Sequence, residues 1–250
     1  MKAKVYGVPG SHPVKAAMLM LEHKGIEADR TDLPNVVSRA VLRAMGFPGP
    51  TVPAVKIDGR RVQTTRALAR ALEELRPDPP LFPSDPELRT KVEEAERWGD
   101  EVLQMVPRRL SFSTPVRRNR SDFAEFFEGP LLGLPPKVAM ASAAPLLMVS
   151  ARLNKATDDV VRADLAALPG MLDHVDALMA AGVIGGAQRN AADFQIASSV
   201  RLLMCFDDIR PAIEGRPAER FASEVVPSYP GHIRPGLPPD WVAVLRPGAA

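Results

Sequence analysis

The sequence holds one cysteine, Cys205, so no disulfide can form within the chain and no cysteine-based metal site can be assembled. A lone thiol suits a reducing compartment, and the cytoplasm is the expected location. The four histidines show none of the paired spacings that bind a metal, so no metal is predicted. Charge of one sign is also lacking: 32 basic residues against 30 acidic ones leave a formal net charge of +2. That balance calls for neither nucleic acid nor an anionic membrane as a partner. The most apolar stretch, Pro130–Ala151, is broken by Lys137 and several prolines. Its uncharged part, Val138–Ala151, falls short of the roughly 20 residues a spanning helix needs, and it reads as a buried helix or lid. Met1 leads straight into polar and charged positions, so no signal peptide is expected. There is no internal repeat and no P-loop, and Gly7-x-x-Gly10 is too short for a dinucleotide fingerprint.

What remains is a chain of 250 residues, 46% apolar, enough for one large domain or two ordinary ones. Lys2–Val8 alternates as a strand, Gly10–Pro13 turns, and Val14–Lys24 has helical spacing stopped by Gly25. Ile26–Asp32 is a second strand, Val36–Met45 a short helix, and the proline-rich Phe47–Pro53 an irregular loop. Ala54–Ile57, Asp58-Gly59 and Arg60–Gln63 read as a hairpin, after which Thr64 or Thr65 caps a helix to about Arg76. The order is β-α-β-α-β-β-α, a small mixed sheet with helices on its faces, over residues 1–77. Pro77-Asp78-Pro79-Pro80 reads as a linker. From residue 84 to 250 the periods are helical, beginning with a long helix over Pro86–Val106. Further helices are predicted at Ser121–Glu128, Lys137–Leu153, Asp158–Ala181, Ala191–Phe206 and Pro217–Val226, then a Pro-rich tail anchored by Trp241.

Three segments, in this order, resemble the glutathione S-transferase superfamily: KVYGVPGSHPVKAAMLMLEHKGI, TVPAVKIDGRRVQTTRALARAL and GGAQRNAADFQIASSVRLL. The resemblance spans nearly the whole chain and is weakest over residues 108–153. It implies a thioredoxin-like N-terminal domain followed by the all-α glutathione-transferase C-terminal domain. It also implies glutathione, or another low-molecular-weight thiol, as co-substrate, and a homodimer.

In the first segment Ser11 precedes a helix, where free N–H groups and the helix dipole favour a thiolate. The family's turn holds a catalytic serine, cysteine or tyrosine, and Ser11 matches it; the plain alternative is a helix N-cap. A serine cannot form a mixed disulfide, which argues against a thiol reductase. His12 reads as facing solvent. In the second segment Val52-Pro53 is a candidate cis peptide, and the family uses that residue's backbone to pair with the thiol peptide. Thr65 matches the family's serine or threonine that grips the γ-glutamyl carboxylate. Thr64 stands where the family has an acidic residue or glutamine, so the carboxylate for the γ-glutamyl ammonium is missing there; Gln63 or an acidic residue from the partner subunit is left to compensate.

In the third segment Asn190 and Asp193 are spaced as a capping box, a folding feature. Cys205 reads as a core thiol. Arg108, Arg109, Arg117, Arg118 and Arg120 read as a solvated basic surface. Residues 135–148 and the tail either line an apolar pocket between the domains or bury core.

The function implied is thiol conjugation to a hydrophobic electrophile through a Ser11-stabilised thiolate. A non-catalytic binding or scaffold role is one alternative. The other is a thiol-dependent isomerase or lyase using a different thiol, which the Arg-, Ala- and Pro-rich composition, typical of a GC-rich bacterial genome, would suit.

Overall fold

A computed structural model describes residues 1–34, 37–127, 135 and 144–245. The N-terminal part is the expected β-α-β-α-β-β-α: β1 (Lys2–Gly7), α1 (His12–His23), β2 (Glu27–Asp32), α2 (Ser38–Ala44), β3 (Ala54–Ile57), β4 (Arg60–Gln63) and α3 (Thr65–Leu75). The sheet order is β2-β1-β3-β4, with β1 parallel to β2 and antiparallel to β3, and β4 antiparallel to β3. The tight turn between β3 and β4 works because Asp58 and Gly59 both take positive φ, 48° and 75°.

Alternation splits the sheet's side chains between two cores. Ala3, Val5, Val55 and Ile57 pack with Val14, Ala17 and Leu21 of α1 and Leu68 and Leu72 of α3. Tyr6 and Ala54 point the other way, towards Leu42 of α2 and Phe47. The Tyr6 and Phe47 rings meet edge-on, 5.9 Å apart.

The helical part begins with α4 (Pro86–Trp98), capped by Asp85. The predicted long helix does not continue through Val106. A π-helical turn at Gly99–Leu103 interrupts it, and α5 (Met105–Ser111) follows. Two causes coincide. A side chain at Gly99 would come within 2.9 Å of Ile196, so the chain needs glycine there to cross the later helix α9 (Ala191–Leu203). Pro107 has no N–H for the carbonyl four residues back, so the α-helical ladder breaks in the same place.

Next come α6 (Thr114–Arg118), a 3₁₀ segment (Arg120–Phe126) and α7 (Ala144–Leu153). The first part of the predicted Lys137–Leu153 helix, and Val36 of the predicted Val36–Met45 helix, lie outside the described residues. The remaining main helices are α8 (Asp158–Ala180), α9, and α10 (Pro217–Val225), with α11 (Pro239–Val242) in the tail. Trp241 is buried, as expected of a tail anchor.

Buried polar contacts tie the two parts together. The Lys24 ammonium is fully enclosed and donates to Glu73 Oε2 (2.7 Å) and to the carbonyls of Arg76 (2.7 Å) and Pro77 (3.2 Å). Glu73 also accepts from the Leu81 N–H, and the Leu81 carbonyl accepts from Ala191, the first residue of α9. Arg70 of α3 reaches the buried Glu96 of α4 at 2.5 Å. The capping box of α9 is present: Asn190 Oδ1 accepts from Ala192 and Asp193, and Asp193 Oδ2 accepts from the Asn190 N–H at 2.7 Å. Asp193 Oδ1 takes the Gly185 N–H as well, at 2.6 Å. Among the described residues no helix is long and apolar enough to cross a membrane.

Candidate active site

The register Tyr6–Ala54–Gln63 sets the ends of three strands side by side. The chain leaving β1 makes the Ser11 turn, the chain entering β3 carries Val52-Pro53, and the chain leaving β4 carries Thr64 and Thr65. All the sequence-predicted site residues therefore gather at one end of the sheet.

The Ser11 turn runs from Val8 to Ser11, closed by the Ser11 N–H donating to the Val8 carbonyl at 3.2 Å. Gly10 sits at φ 67°, which only glycine takes without strain. Ser11 is the N-cap of α1, and its hydroxyl oxygen accepts from the Val14 N–H at 3.4 Å. That long bond leaves the hydroxyl proton free to donate elsewhere. Capping and thiolate binding are thus compatible uses of one oxygen.

His12 does not face solvent. It is 4% exposed, and its Nε2 has no hydrogen-bond partner. Burial, then the nearby Arg108 cation, pushes its pKa down to about 3, against a hydrogen bond to the Gln104 backbone. His12 is therefore neutral at working pH. As the first residue of α1 it turns inward under the helical region, a position its polarity alone did not reveal.

The Val52-Pro53 peptide is cis. Among the described residues the N–H and C=O of Val52 make no hydrogen bond, while the Pro53 carbonyl accepts from Thr64. The loop before Val52 is held by Gln63. Its side-chain amide accepts from the Gly49 N–H (2.6 Å) and donates to the carbonyls of Gly49 (2.8 Å) and Thr51 (2.5 Å). Gln63 is thereby committed to the loop and does not supply the contact left open for it beside a bound ammonium.

Of the two threonines, Thr64 caps α3. Its hydroxyl accepts from the Ala67 N–H at 3.3 Å, and its φ is 77°. A β-branched residue in that conformation is strained, by about 1–3 kcal/mol, and such strain gathers at functional sites. Thr65 is the first helical residue and is buried. With Ala67 and Leu68 donating to Thr64, the N–H groups of Thr65 and Arg66 point out of the helix end unpaired.

The basic cluster is not a solvated face. Arg109 pairs with Asp164 of α8 at 2.9 Å, and Arg117 donates to Thr114 at 2.7 Å. Arg108 is largely enclosed, and burial lowers its pKa despite the neighbouring Asp100. Arg118 alone of the five is exposed, and the other four are half-buried. The packing of α5 against α8 draws Arg109 inward to Asp164.

Cys205 is buried, and burial raises its pKa to about 11, so it is an inert core thiol. Of the residues proposed to line an apolar pocket, most of 135–148 lie outside the described residues.

Phe126 and Tyr229 also border the Ser11 turn, and no motif in the sequence marks them. The Tyr229 hydroxyl donates to the Gly10 carbonyl at 2.9 Å, and the Phe126 ring covers Gly10. Tyr229 is one of only two tyrosines in the chain, a faint signal beside turn-forming Pro230-Gly231. Among the described residues no group of acidic, histidine or cysteine side chains is placed to hold a metal.

Residues 5–80 match the family model described as glutathione S-transferase, N-terminal domain. No curated protein matches the chain. Among solved structures the chain is similar to a glutathione S-transferase from Rhodospirillum rubrum, at 17% identity and a TM-score of 0.60, covering 97% of this chain and 99% of that one. The beta-etherase LigF from Sphingobium sp. is similar at 15% identity and a TM-score of 0.60, over 90% and 99% of the two chains. A glutathione S-transferase from Methylobacterium radiotolerans, solved with glutathione sulfonate, is similar at 15% identity and a TM-score of 0.52, over 90% of each.

Proposed function

We propose that this chain, whose residues 5–80 match the N-terminal domain model of glutathione S-transferases and whose fold is shared with solved structures of that name, transfers the thiol of glutathione, or a related small thiol, to a largely apolar electrophile. The observation that carries this is the convergence, at one end of the sheet, of three unfilled backbone and hydroxyl groups. These are the free hydroxyl proton of Ser11, the unpaired backbone of Val52, and the open N–H groups of Thr65 and Arg66.

Each group suits one part of a thiol peptide. The Val52 N–H and C=O pair with the cysteine backbone as an added strand. The N–H groups of Thr65 and Arg66, with the buried Thr65 hydroxyl, receive the γ-glutamyl carboxylate. Thr64 sets the helix end in place. Ser11 donates a hydrogen bond to the sulfur and the α1 dipole lowers the thiol pKa, so the thiol gives up its proton to solvent and stands as the thiolate. The thiolate lone pair then attacks the electrophilic carbon, forming a C–S bond while the leaving group departs with the displaced electron pair. Apart from Ser11, the chain's contribution is proximity and electrostatics. The reading includes a homodimer, checked by light scattering, and a domain division at 1–77 and 84–250.

A calorimetric titration with glutathione tests it. Binding at or below millimolar concentration is expected, and no binding in that range overturns the glutathione form. Ser11→Ala should lower turnover of an aryl electrophile about 100-fold, as loss of one anion-stabilising donor does elsewhere.

One observation favours a second reading. Thr64 is neutral and Gln63 is tied to its loop, so neither residue offers a carboxylate to a γ-glutamyl ammonium. A thiol without that ammonium would suit the site equally. A thermal-shift series across small thiols separates the two readings.

A further inference from the structure

The segment from Tyr229 to Leu237 follows a path that no helix or sheet requires. It leaves α10, crosses to the Ser11 turn and returns to the helical region. At its start the Tyr229 hydroxyl donates to the Gly10 carbonyl, 219 positions earlier, at 2.9 Å. Two residues on, Gly231 sits at φ 93°, and a side chain there would lie 2.6 Å from the Phe126 ring. Phe126 in turn covers Gly10, where a side chain would lie 3.1 Å from its Cβ, and meets Tyr229 edge-on at 6.2 Å.

The rest of the segment is anchored strongly. Ile233 pairs with the chain after α9, its N–H donating to Cys205 at 2.8 Å and its carbonyl accepting from Asp207 at 3.0 Å. Arg234 grips Asp122, which is 8% exposed, through its backbone N–H (3.1 Å) and two guanidinium nitrogens (3.0 and 2.7 Å). Asp208 receives the N–H groups of Gly236 (2.7 Å) and Leu237 (2.9 Å).

These contacts act on one peptide plane. The Gly10–Ser11 peptide has its N–H bonded inward to Val8 and its C=O bonded outward to Tyr229. With both polar ends held, the plane is kept from turning, and the backbone from which the Ser11 side chain springs is fixed, while the Val14 N–H contacts its Oγ. A helix N-cap needs no such outer bond. Preorganised donors work because they do not reorient as charge develops.

We propose that Tyr229–Leu237 is a strap that fixes the Ser11 turn, with Tyr229 a positioning residue acting through the Gly10 carbonyl. Its catalytic consequence depends on the thiol-transfer reading above; the strap itself does not.

Tyr229→Phe removes the hydroxyl and keeps the ring against Phe126. In the full chain, hydrogen exchange over residues 8–14 should accelerate about 10-fold, the scale of one lost hydrogen bond, with the rest of the chain unchanged. Unchanged exchange there overturns the strap, whether or not the protein transfers a thiol. If the wild type neither binds nor transfers glutathione, the functional reading fails, and the exchange result alone decides the strap. Where transfer is measured, Tyr229→Phe should lower kcat about 10-fold, leave KM for glutathione in place and raise the pH at which the bound thiol ionises. In a Ser11→Ala background the same substitution should add no further loss, because it acts through Ser11. Additive losses, or faster exchange with an unchanged kcat, overturn the positioning role. Phe126→Leu keeps the hydroxyl bond and thins the cover over Gly10, so it should accelerate the same exchange to a smaller extent.

Discussion

Replacing Gln63 by alanine removes the side chain that shapes the loop ahead of Val52. Three hydrogen bonds are lost, to the Gly49 N–H and to the carbonyls of Gly49 and Thr51. Each is worth about 1 kcal/mol net. Gly49 and Thr51 lie near the surface, so water replaces part of what is lost, and the expected cost is about 2–3 kcal/mol in urea unfolding. Because the loop carries Val52 into the proposed thiol site, glutathione affinity should fall along with stability. Gln63→Glu sharpens the test. Its ionised carboxylate could accept from Gly49 N–H but would face two carbonyl oxygens with no proton between them. The carboxyl should therefore stay protonated to a higher pH when folded than when unfolded. With the folded pKa raised, the stability of this variant is fully present below the unfolded value, roughly 4.3, and is lost as pH rises through the folded one. A Gln63→Ala variant within about 0.5 kcal/mol of wild type, the range of an ordinary surface change, would refute the assignment of Gln63 as the loop's anchor.

Lys24→Met leaves Glu73 and two carbonyls without the ammonium they share, and unfolding free energy should drop by about 3 kcal/mol; a drop near zero would mean the buried pair is neutral to stability. Burial raises the Asp193 pKa from 3.8 to about 6 despite its two N–H donors. The raised folded pKa means that its contribution is present below about pH 4 and lost by up to about 3 kcal/mol as pH rises through 6. Asp193→Asn should flatten the pH dependence of the urea midpoint across that window, and an unchanged slope would sink the assignment. Cys205, with its thiol pKa pushed up to about 11, should resist alkylation in the native protein at pH 8 and react only in denaturant; mass spectrometry of the alkylated chain reads this directly.

What the sequence disclosed was local. Asp58-Gly59 between alternating runs specifies a tight hairpin, and both residues take the positive φ such a turn demands. Asn190 and Asp193, three apart ahead of an apolar run, form the capping box because both partners lie within one helical turn. Val52-Pro53 was legible for the same reason, since only an X-Pro bond takes the cis form readily. Thr64 and Thr65 were legible as a pair, but which one caps depended on where β4 ends.

The features that escaped all depend on contacts far along the chain. Pro107 marks from the sequence where an α-helical ladder must fail, but the crowding that demands glycine at Gly99 is hidden until Ile196 is seen beside it. His12 looks polar and is buried; Arg109 looks solvated and finds Asp164, 55 positions later. Gln63 sits at the end of a strand as any polar residue might, and its three partners precede it in a loop whose shape it determines. The same division runs through the candidate site. Groups that would touch the thiol sit at the ends of strands and helices, where turn chemistry exposes them to inspection. Groups that hold those ends still, Gln63 beneath the Val52 loop and Tyr229 above the Ser11 turn, come from outside the turns they steady. A site of this kind is therefore read from sequence in its contacts before it is read in its supports, and mutations at the supports are where its geometry can be tested without touching the reacting groups.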